Sequence, residues 1–253
     1  MNRRVFLTAA AGAAWGITSR LSAALPTASG GPRFKAVAFD AFPLLDPRPV
    51  FALAEQLFPG RGVALSAAWK TRQFEYTWLR TAGGRYVDFR QVTEDALVFA
   101  ARDIGIELTP AKSDELTGAH FKLTVWPDVL PVLRRLAAAG IRMAFLSNLT
   151  PSMLEAAIAR NELAPFITDA ISTDAARTYK SDPRAYQLGV DRLGLPKKQI
   201  LFVAFAGWDA AGAKWFGYPT YWVNRLRQPA EELSVMVDGT GTDLGGLEAF
   251  LRV

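Results

Sequence analysis

A carboxylate follows the first strongly apolar run of the chain. Residues 34–39 are apolar except for Lys35, and Asp40 comes directly after them. The carboxyl end of a buried parallel strand is where open α/β sheets bind ligands. Three later segments repeat this placement. Ser147 and Asn148 follow residues 142–146, and Lys180 follows residues 171–174. Asp209 follows residues 200–205. The four strand ends together predict one composite active site.

These residue types suit nucleophilic catalysis. A carboxylate is a weak nucleophile in water, so it needs a site that removes its solvation and a cation that holds it in position. Lys180 can supply the cation, and Asp209 can hold Lys180 in place. Ser147 and Asn148 can donate hydrogen bonds to the nucleophile or to a substrate carboxylate. Asp40 is therefore the candidate nucleophile.

The neighbours of Asp40 and Asp209 lack the carboxylates of a magnesium site. A magnesium-dependent phosphatase of similar layout would carry a second aspartate two positions after the first, and this chain has Phe42 there. Paired carboxylates would also be expected near Asp209, where Trp208 and Ala210 stand. Mg²⁺ prefers several hard oxygen ligands. We therefore expect neither a metal nor another cofactor, and a phosphatase is the disfavoured alternative.

The elements that position these side chains alternate between helix and strand. Helical periodicity alone fills the region after residue 48, and strands return after residue 125. This pattern predicts an α/β fold with a doubly wound, Rossmann-like parallel-sheet core at residues 34–48 and 126–253, and an inserted all-helical cap at residues 49–125. Cap helices are predicted at residues 50–57, 65–79, 89–104 and 110–123, and core helices at 129–139, 151–160, 183–193 and 210–216. The Gly- and Thr-rich patch at residues 239–246 is expected to be an exposed loop.

Composition excludes several classes of protein. The chain has 253 residues, of which 50% are hydrophobic, so it can bury a full core and is not a disordered chain. The formal charge of +5 falls to about +2 without the first 24 residues, because three basic and no acidic residues lie there. Nothing in that balance indicates a nucleic-acid partner. The absence of cysteine excludes disulfides and thiol catalysis.

The first 24 residues have the character of an export signal. The pair Arg3-Arg4 precedes a mildly apolar stretch, and the small residues before position 25 suit cleavage after Ala24. This segment, residues 1–24, resembles a bacterial twin-arginine signal, and residues 25–33 read as a linker. The resemblance of residues 1–24 to such a signal implies export to the periplasm by the twin-arginine machinery. An inner-membrane anchor is the less favoured alternative, because the apolar stretch is shorter than the ~20 residues of a spanning helix.

Several segments carry a resemblance to a known family. They are residues 39–40, 73–80, 85–89, 146–148 and 208–213, and Tyr179-Lys180 with Tyr186. On these segments the chain resembles the haloacid dehalogenase superfamily, and specifically the type II (S)-2-haloacid dehalogenases, from about residue 34 to at least residue 225. Residues 76–78 of the cap carry the more specific part, since they belong to the dehalogenase branch and not to the superfamily at large.

The resemblance implies a reaction and a set of roles. Asp40 would attack C2 of a short 2-haloalkanoic acid and expel halide with inversion, and water would then hydrolyse the ester formed on Asp40. Ser147 and Asn148 would bind the substrate carboxylate, while Lys180 would stabilise Asp40 and its ester. The residues assigned to the substrate pocket are Phe42, Phe89, Trp208 and Tyr186. The resemblance also implies that the protein forms a homodimer.

The chain departs from the family pattern at positions near the expected chemistry. Pro43-Leu44 stand where the family usually has Gly-Thr, and Lys70 takes the place of a catalytic arginine, which keeps the charge but loses the bidentate geometry. Ala204 and Ala206 replace a serine and an asparagine ahead of the Trp-Asp pair. Efficient turnover is therefore in question. A second hypothesis stays open, in which the chain is a degenerate relative that binds a small carboxylate without turning it over.

Overall fold

The computed structural model of the protein describes residues 34–252. The predicted signal at residues 1–24 and the predicted linker at residues 25–33 lie outside this range. Within the described part, no helix is both long and apolar enough to cross a bilayer.

A six-stranded, fully parallel sheet lies at the centre of the described chain. Its order is β5-β4-β1-β6-β7-β8, and every neighbouring pair is parallel. The strands are β1 (Ala36–Phe39), β4 (Arg142–Ser147), β5 (Ile167–Ser172), β6 (Ile200–Ala204), β7 (Thr220–Val223) and β8 (Gly239–Gly241). Two short strands, β2 (Leu45–Asp46) and β3 (Thr124–Val125), form a separate antiparallel pair. The predicted α/β fold with a parallel sheet is confirmed.

The central position of β1 explains why it is wholly apolar. Phe39 pairs with Phe145 of β4 on one side and with Val203 of β6 on the other. All four residues of β1 are fully buried, because helices cover both faces of the sheet. The residue after such a strand emerges at the carboxyl edge in the middle of the sheet, and that residue is Asp40.

Helices cover the two faces of the sheet. One face packs against α5 (Val129–Ala138), α6 (Pro151–Arg160) and α9 (Leu244–Leu251), and the other against α7 (Pro183–Leu193) and α8 (Gly207–Phe216). Thr150 caps α6 by accepting a hydrogen bond from the N–H of Met153 at 3.2 Å, which fixes where the chain turns away from β4. The helix α8 begins three residues earlier than predicted, since Gly207 starts the helix instead of breaking it. Asp209 thus lies in the first turn of α8.

The cap consists of four helices between β2 and β3. These are α1 (Arg48–Leu57), α2 (Gly62–Ala82), α3 (Phe89–Asp103) and α4 (Pro110–Gly118). Thr109 caps α4, with Pro110 at the first helical position. The prediction that this helix runs to residue 123 was wrong in its last turn. The α-helix ends at Gly118, a poor helix former, and the chain continues as a short 3₁₀-helix, Ala119–Phe121.

The predicted exposed loop at residues 239–246 was also wrong. Residues 239–241 form β8, paired in parallel with β7, and α9 begins at Leu244, which is fully buried together with Leu247. The glycines that suggested a loop serve close packing. A Cβ atom added at Gly241 would lie 2.4 Å from the phenol oxygen of Tyr221, so glycine is needed where this edge strand crosses that ring.

Candidate active site

Asp40 lies at the carboxyl edge of the sheet, between β4 and β6. Its backbone N–H donates to the carbonyl of Val203 at 2.9 Å, so the backbone follows the β6 ladder for one more residue. Its carboxylate oxygen Oδ2 accepts a bond from the N–H of Phe42 at 3.3 Å. The side chain is 13% exposed, whereas Lys180 beside it is 1% exposed. The carboxylate is thus largely desolvated but still open on one side.

Lys180 connects Asp40 with Asp209. Its Nζ lies 3.0 Å from Oδ1 of Asp40 and 3.0 Å from Oδ2 of Asp209, and it sits 4.7 Å from the centre of the Phe202 ring. Burial favours the neutral amine, but attraction to Asp209 and Asp40 outweighs it and raises the pKa of Lys180. The lysine is therefore a permanent cation beside the candidate nucleophile.

Asp209 is buried behind Lys180. Tyr186 donates from its phenol to Oδ1 of Asp209 at 2.7 Å, and Lys180 binds the other oxygen. Burial raises the pKa of Asp209 to about 6, with Asp40 adding to the shift and Lys180 and Tyr186 opposing it. Asp209 is still ionised at neutral pH. Tyr186 is fully buried and contacts Asp209, so its assigned contact with substrate stays a prediction.

Asn148 and Ser147 lie at the end of β4. The amide oxygen of Asn148 accepts two bonds, from the hydroxyl of Thr173 at 3.2 Å and from the backbone N–H of Lys180 at 3.1 Å. Because both partners are donors, this fixes the amide orientation and leaves its nitrogen as the available donor. The Ser147 hydroxyl accepts from the N–H of Leu149 at 3.3 Å, which leaves its own O–H to donate. Both residues retain one donor for a substrate carboxylate.

Aromatic side chains stand around this edge of the sheet. Phe42 packs against Phe205, with ring centres 5.9 Å apart. Trp208 contacts two cap residues edge-on, Phe74 at 5.1 Å and Trp78 at 5.5 Å. The predicted pocket residues Phe42 and Trp208 are therefore partly buried in aromatic clusters near the nucleophile. Phe205, Phe74 and Trp78 were not predicted, although the four-residue spacing of Phe74 and Trp78 on one helix was a usable signal.

Two of the predicted site residues, Phe89 and Lys70, do not lie beside Asp40 in the way that Lys180 does. Phe89 is 2% exposed and contacts the ring of Tyr179 at 6.3 Å, which places it in the core between cap and sheet. Lys70 is exposed, and within the described residues it makes no hydrogen bond or ion pair. It precedes Phe74 by one helical turn on the same stripe of α2. The structure thus does not bring Lys70 into contact with Asp40, and its catalytic role stays a prediction.

Three of the positions that depart from the family pattern carry apolar side chains, namely Leu44, Ala204 and Ala206. Leu44 and Ala204 are fully buried. Ala206 is the N-cap residue of α8 and provides no side-chain hydrogen bond to the first turn of that helix. Neither a hydroxyl nor an amide therefore reaches the nucleophile from these three positions.

The residues present do not suit a magnesium ion. Asp40 and Asp209 face each other across this edge, but the ammonium group of Lys180 occupies the space between them. Phe42 supplies only backbone groups where a second carboxylate would be needed. Among residues 34–252, no three His, Cys, Asp or Glu side chains converge as metal ligands would. The donor set is that of an ion-paired carboxylate nucleophile.

Comparisons with known proteins agree with this geometry. The pattern of the haloacid dehalogenase-like hydrolases matches residues 34–217. The (S)-2-haloacid dehalogenase of Pseudomonas sp. (strain YL) is 39% identical over 83% of this chain and 91% of its own length. The haloacetate dehalogenase H-2 of Moraxella sp. (strain B) is 34% identical over 82% of this chain and 93% of its own.

Solved structures give the same result. The L-2-haloacid dehalogenase RSc1362 superimposes with a TM-score of 0.85 and 40% identity, covering 87% of this chain and 99% of that one. The L-2-haloacid dehalogenase of Xanthobacter autotrophicus with chloropropionic acid covalently bound superimposes with a TM-score of 0.79 and 33% identity, covering 87% and 98%. On the fold, on the lysine-bridged carboxylates and on these similarities, the chain belongs to the haloacid dehalogenase-like hydrolase family.

Proposed function

We propose that this hydrolase is an (S)-2-haloacid dehalogenase that acts on short 2-haloalkanoic acids through an ester on Asp40. The observation that carries the proposal is the position of Lys180, whose Nζ lies 3.0 Å from both Asp40 and Asp209 in a desolvated site. Such a cation holds the nucleophile in position without a metal. The names of the similar proteins, which include (S)-2-haloacid and haloacetate dehalogenases, support the same substrate class.

The first step is displacement of halide by Asp40. The oxygen Oδ1 is bound to Lys180, whereas Oδ2 holds only a long bond from the N–H of Phe42 and is the freer nucleophile. One carboxylate oxygen forms a bond to C2 of the substrate while the carbon–halogen bond breaks, and the halide leaves with the bonding electrons. The side-chain nitrogen of Asn148 and the hydroxyl of Ser147 are the donors that anchor the substrate carboxylate. Attack from the opposite side inverts the configuration at C2.

The second step is hydrolysis of the ester. Water attacks the carbonyl carbon of Asp40, and the bond between that carbon and the ester oxygen breaks. One proton of the water goes to the departing 2-hydroxy acid and the other to solvent, which restores the Asp40 carboxylate. Lys180 stabilises the oxyanion that develops on the Asp40 oxygen in this step.

The second step is the slower one in our proposal. Leu44, Ala204 and Ala206 offer no hydrogen-bonding side chain around the Asp40 carbonyl. Losing one donor that stabilises a transition state typically costs about 100- to 1000-fold in rate. The same observation favours a second candidate function, a degenerate relative that binds a small carboxylate without turning it over.

Halide release from the purified mature chain decides between these functions. We expect chloride from (S)-2-chloropropionate and little from the R enantiomer, and we expect EDTA to change nothing. Asp40→Asn is the matched control, because the amide keeps the shape but cannot attack C2. Saturable binding of chloropropionate without any chloride, in a chain shown to be folded, would support the carboxylate-binding relative instead.

We further propose that the enzyme is exported to the periplasm by the twin-arginine machinery and works as a homodimer. The paired Arg3-Arg4 ahead of an apolar stretch supports the export. Changing both arginines to lysine should hold the protein in the cytoplasm, and unaffected export would remove this part of the proposal. Mature protein retained in the membrane fraction would favour the inner-membrane anchor. Light scattering on the purified chain tests the dimer.

A further inference from the structure

Lys180 lies in an irregular segment that needs support from its neighbours. A 3₁₀-helix (Thr173–Ala176) follows β5, and residues 177–182 then run without regular structure to the start of α7. The backbone of Lys180 is held on the core side, where its N–H donates to Asn148. A lysine side chain has four rotatable bonds, so its Nζ keeps a fixed position only when the backbone of the residue is also fixed.

Two tyrosines connect this segment and the 3₁₀-helix before it to the cap. Tyr179, the residue before Lys180, donates from its phenol to the backbone carbonyl of Val87 at 2.6 Å. In the reverse direction Tyr86 donates from the cap to the carboxylate of Asp174 at 2.5 Å. The two rings contact each other with centres 5.2 Å apart. One of the two hydrogen bonds therefore has its donor in the core and its acceptor in the cap, and the other has its donor in the cap and its acceptor in the core. The two donor rings also contact each other.

The packing around this pair makes it rigid. Tyr179 is fully buried and also contacts the ring of Phe89. The guanidinium of Arg177 lies 5.1 Å from the centre of the Tyr86 ring. Hydrogen bonds between a phenol and an ionised carboxylate are stronger than those between neutral groups. The backbone at residues 179–180 is therefore bound to Asn148 on the core side and to the cap loop at residues 86–89 on the other.

We propose that Tyr179 and Tyr86 are positioning residues that set the distance from the Lys180 ammonium group to Asp40 and Asp209. The expected change in kcat rests on the proposed function, whereas the expected change in the position of Lys180 does not. The cap then does more than cover the site, because its loop at residues 86–89 fixes the group on which both carboxylates depend.

The expected size of the effect follows from the geometry. Charged and titratable groups that face Nζ are Asp40 at the end of β1, Asp209 on α8 and, through Asp209, Tyr186 on α7. At an effective dielectric constant of about 20, lengthening an ion pair from ~3 to ~4 Å weakens it by about one pKa unit. A displaced Lys180 would therefore let Asp209 take up a proton at higher pH.

The test uses Tyr179→Phe and Tyr86→Phe, which keep both rings and remove one hydroxyl each. We expect the acid limb of the kcat profile to move upward by about one pH unit, with KM changed less than kcat. Carboxyl-carbon NMR of labelled aspartates, assigned with Asp209→Asn, should show the same upward shift for Asp209. The NMR titration needs no turnover, so it tests the positioning role even if halide release fails.

Tyr218→Phe is the matched control. Its phenol is also fully buried and donates to a backbone carbonyl, that of Tyr186, at 2.8 Å, but that carbonyl is already fixed by α7. We expect a similar loss of thermal stability and no shift in either titration. Tyr179→Phe and Tyr86→Phe variants that lose stability as the control does, with both titrations unmoved, would overturn the proposal. Should Tyr179→Phe not fold, the half-buried Tyr86→Phe decides the outcome alone.

Discussion

Removing the ammonium group of Lys180 should convert the site into a repelling pair of carboxylates. Lys180→Met keeps most of the side-chain volume and deletes the charge. Each carboxylate oxygen lies 3.0 Å from Nζ, and at that distance two opposite unit charges attract by about 5.5 kcal/mol at an effective dielectric constant of about 20, which equals about four pKa units. The mutual repulsion of the two carboxylates is present in the parent as well, and the variant loses the attraction that offsets it.

The sign of the change in pH dependence follows from that lost attraction. With Lys180 present, burial already raises the pKa of Asp209 to about 6. Without the lysine, Asp209 takes up a proton at a still higher pH, because the attraction that opposes its burial is gone. Since this raised value applies to the folded state, the variant is destabilised most at alkaline pH, and the loss shrinks as pH falls through the raised value.

Two measurements check this prediction. Halide release by Lys180→Met should fall by at least about 100-fold at neutral pH, because the cation that stabilises both steps is lost. The acid limb of its pH–rate profile should move upward by up to about four units. Lys198→Met, which removes an exposed surface charge, is the control for net charge. Near-parental halide release with an unmoved acid limb would refute the role assigned to Lys180.

Three further outcomes are expected. Incubation with (S)-2-chloropropionate should give a burst of chloride and an adduct on the Asp40 peptide, and Ala204→Ser combined with Ala206→Asn should shorten the lifetime of that adduct; fast turnover without an adduct would show that these positions do not limit the second step. Ala206→Asn alone should raise the free energy of unfolding by about 1 kcal/mol, since it supplies the missing N-cap of α8; an unchanged denaturation midpoint would count against that reading. Burial lowers the pKa of His120, which lies edge-on to Trp69, to about 4, so between pH 6.5 and 4 the parent should lose about 3 kcal/mol of stability relative to His120→Phe, and parallel stability curves for the two proteins would contradict it.

The strand ends were the part of the site most accessible to prediction. Asp40 and Ser147 follow apolar runs whose length and flanking residues leave few alternatives to buried parallel strands, and the sheet order then brings them together. Asp209 was placed near them correctly, although it lies in the first turn of α8 and not at a strand end. Local sequence determines that these side chains reach one edge, since parallel strands share a direction.

Contacts between distant segments were not predictable in the same way. The hydrogen bonds of Tyr86 and Tyr179 join positions that are 88 and 92 residues apart from their partners, and neither the spacing nor the residue type signals them. The edge formed by β8 and α9 was missed because its glycines are typical of loops, while their reason is the nearby ring of Tyr221. In both cases tertiary packing, and not local propensity, decides the structure.

The covalent ester on Asp40 is tested most directly by a single turnover in oxygen-18 water with the enzyme in excess over (S)-2-chloropropionate. Because water attacks the carbonyl carbon of Asp40, the heavy oxygen should appear in the peptide that contains Asp40, and the lactate formed should carry an ordinary oxygen taken from the enzyme. Heavy oxygen in the lactate and none in the Asp40 peptide would mean that water attacks C2 directly, which would contradict the proposed mechanism.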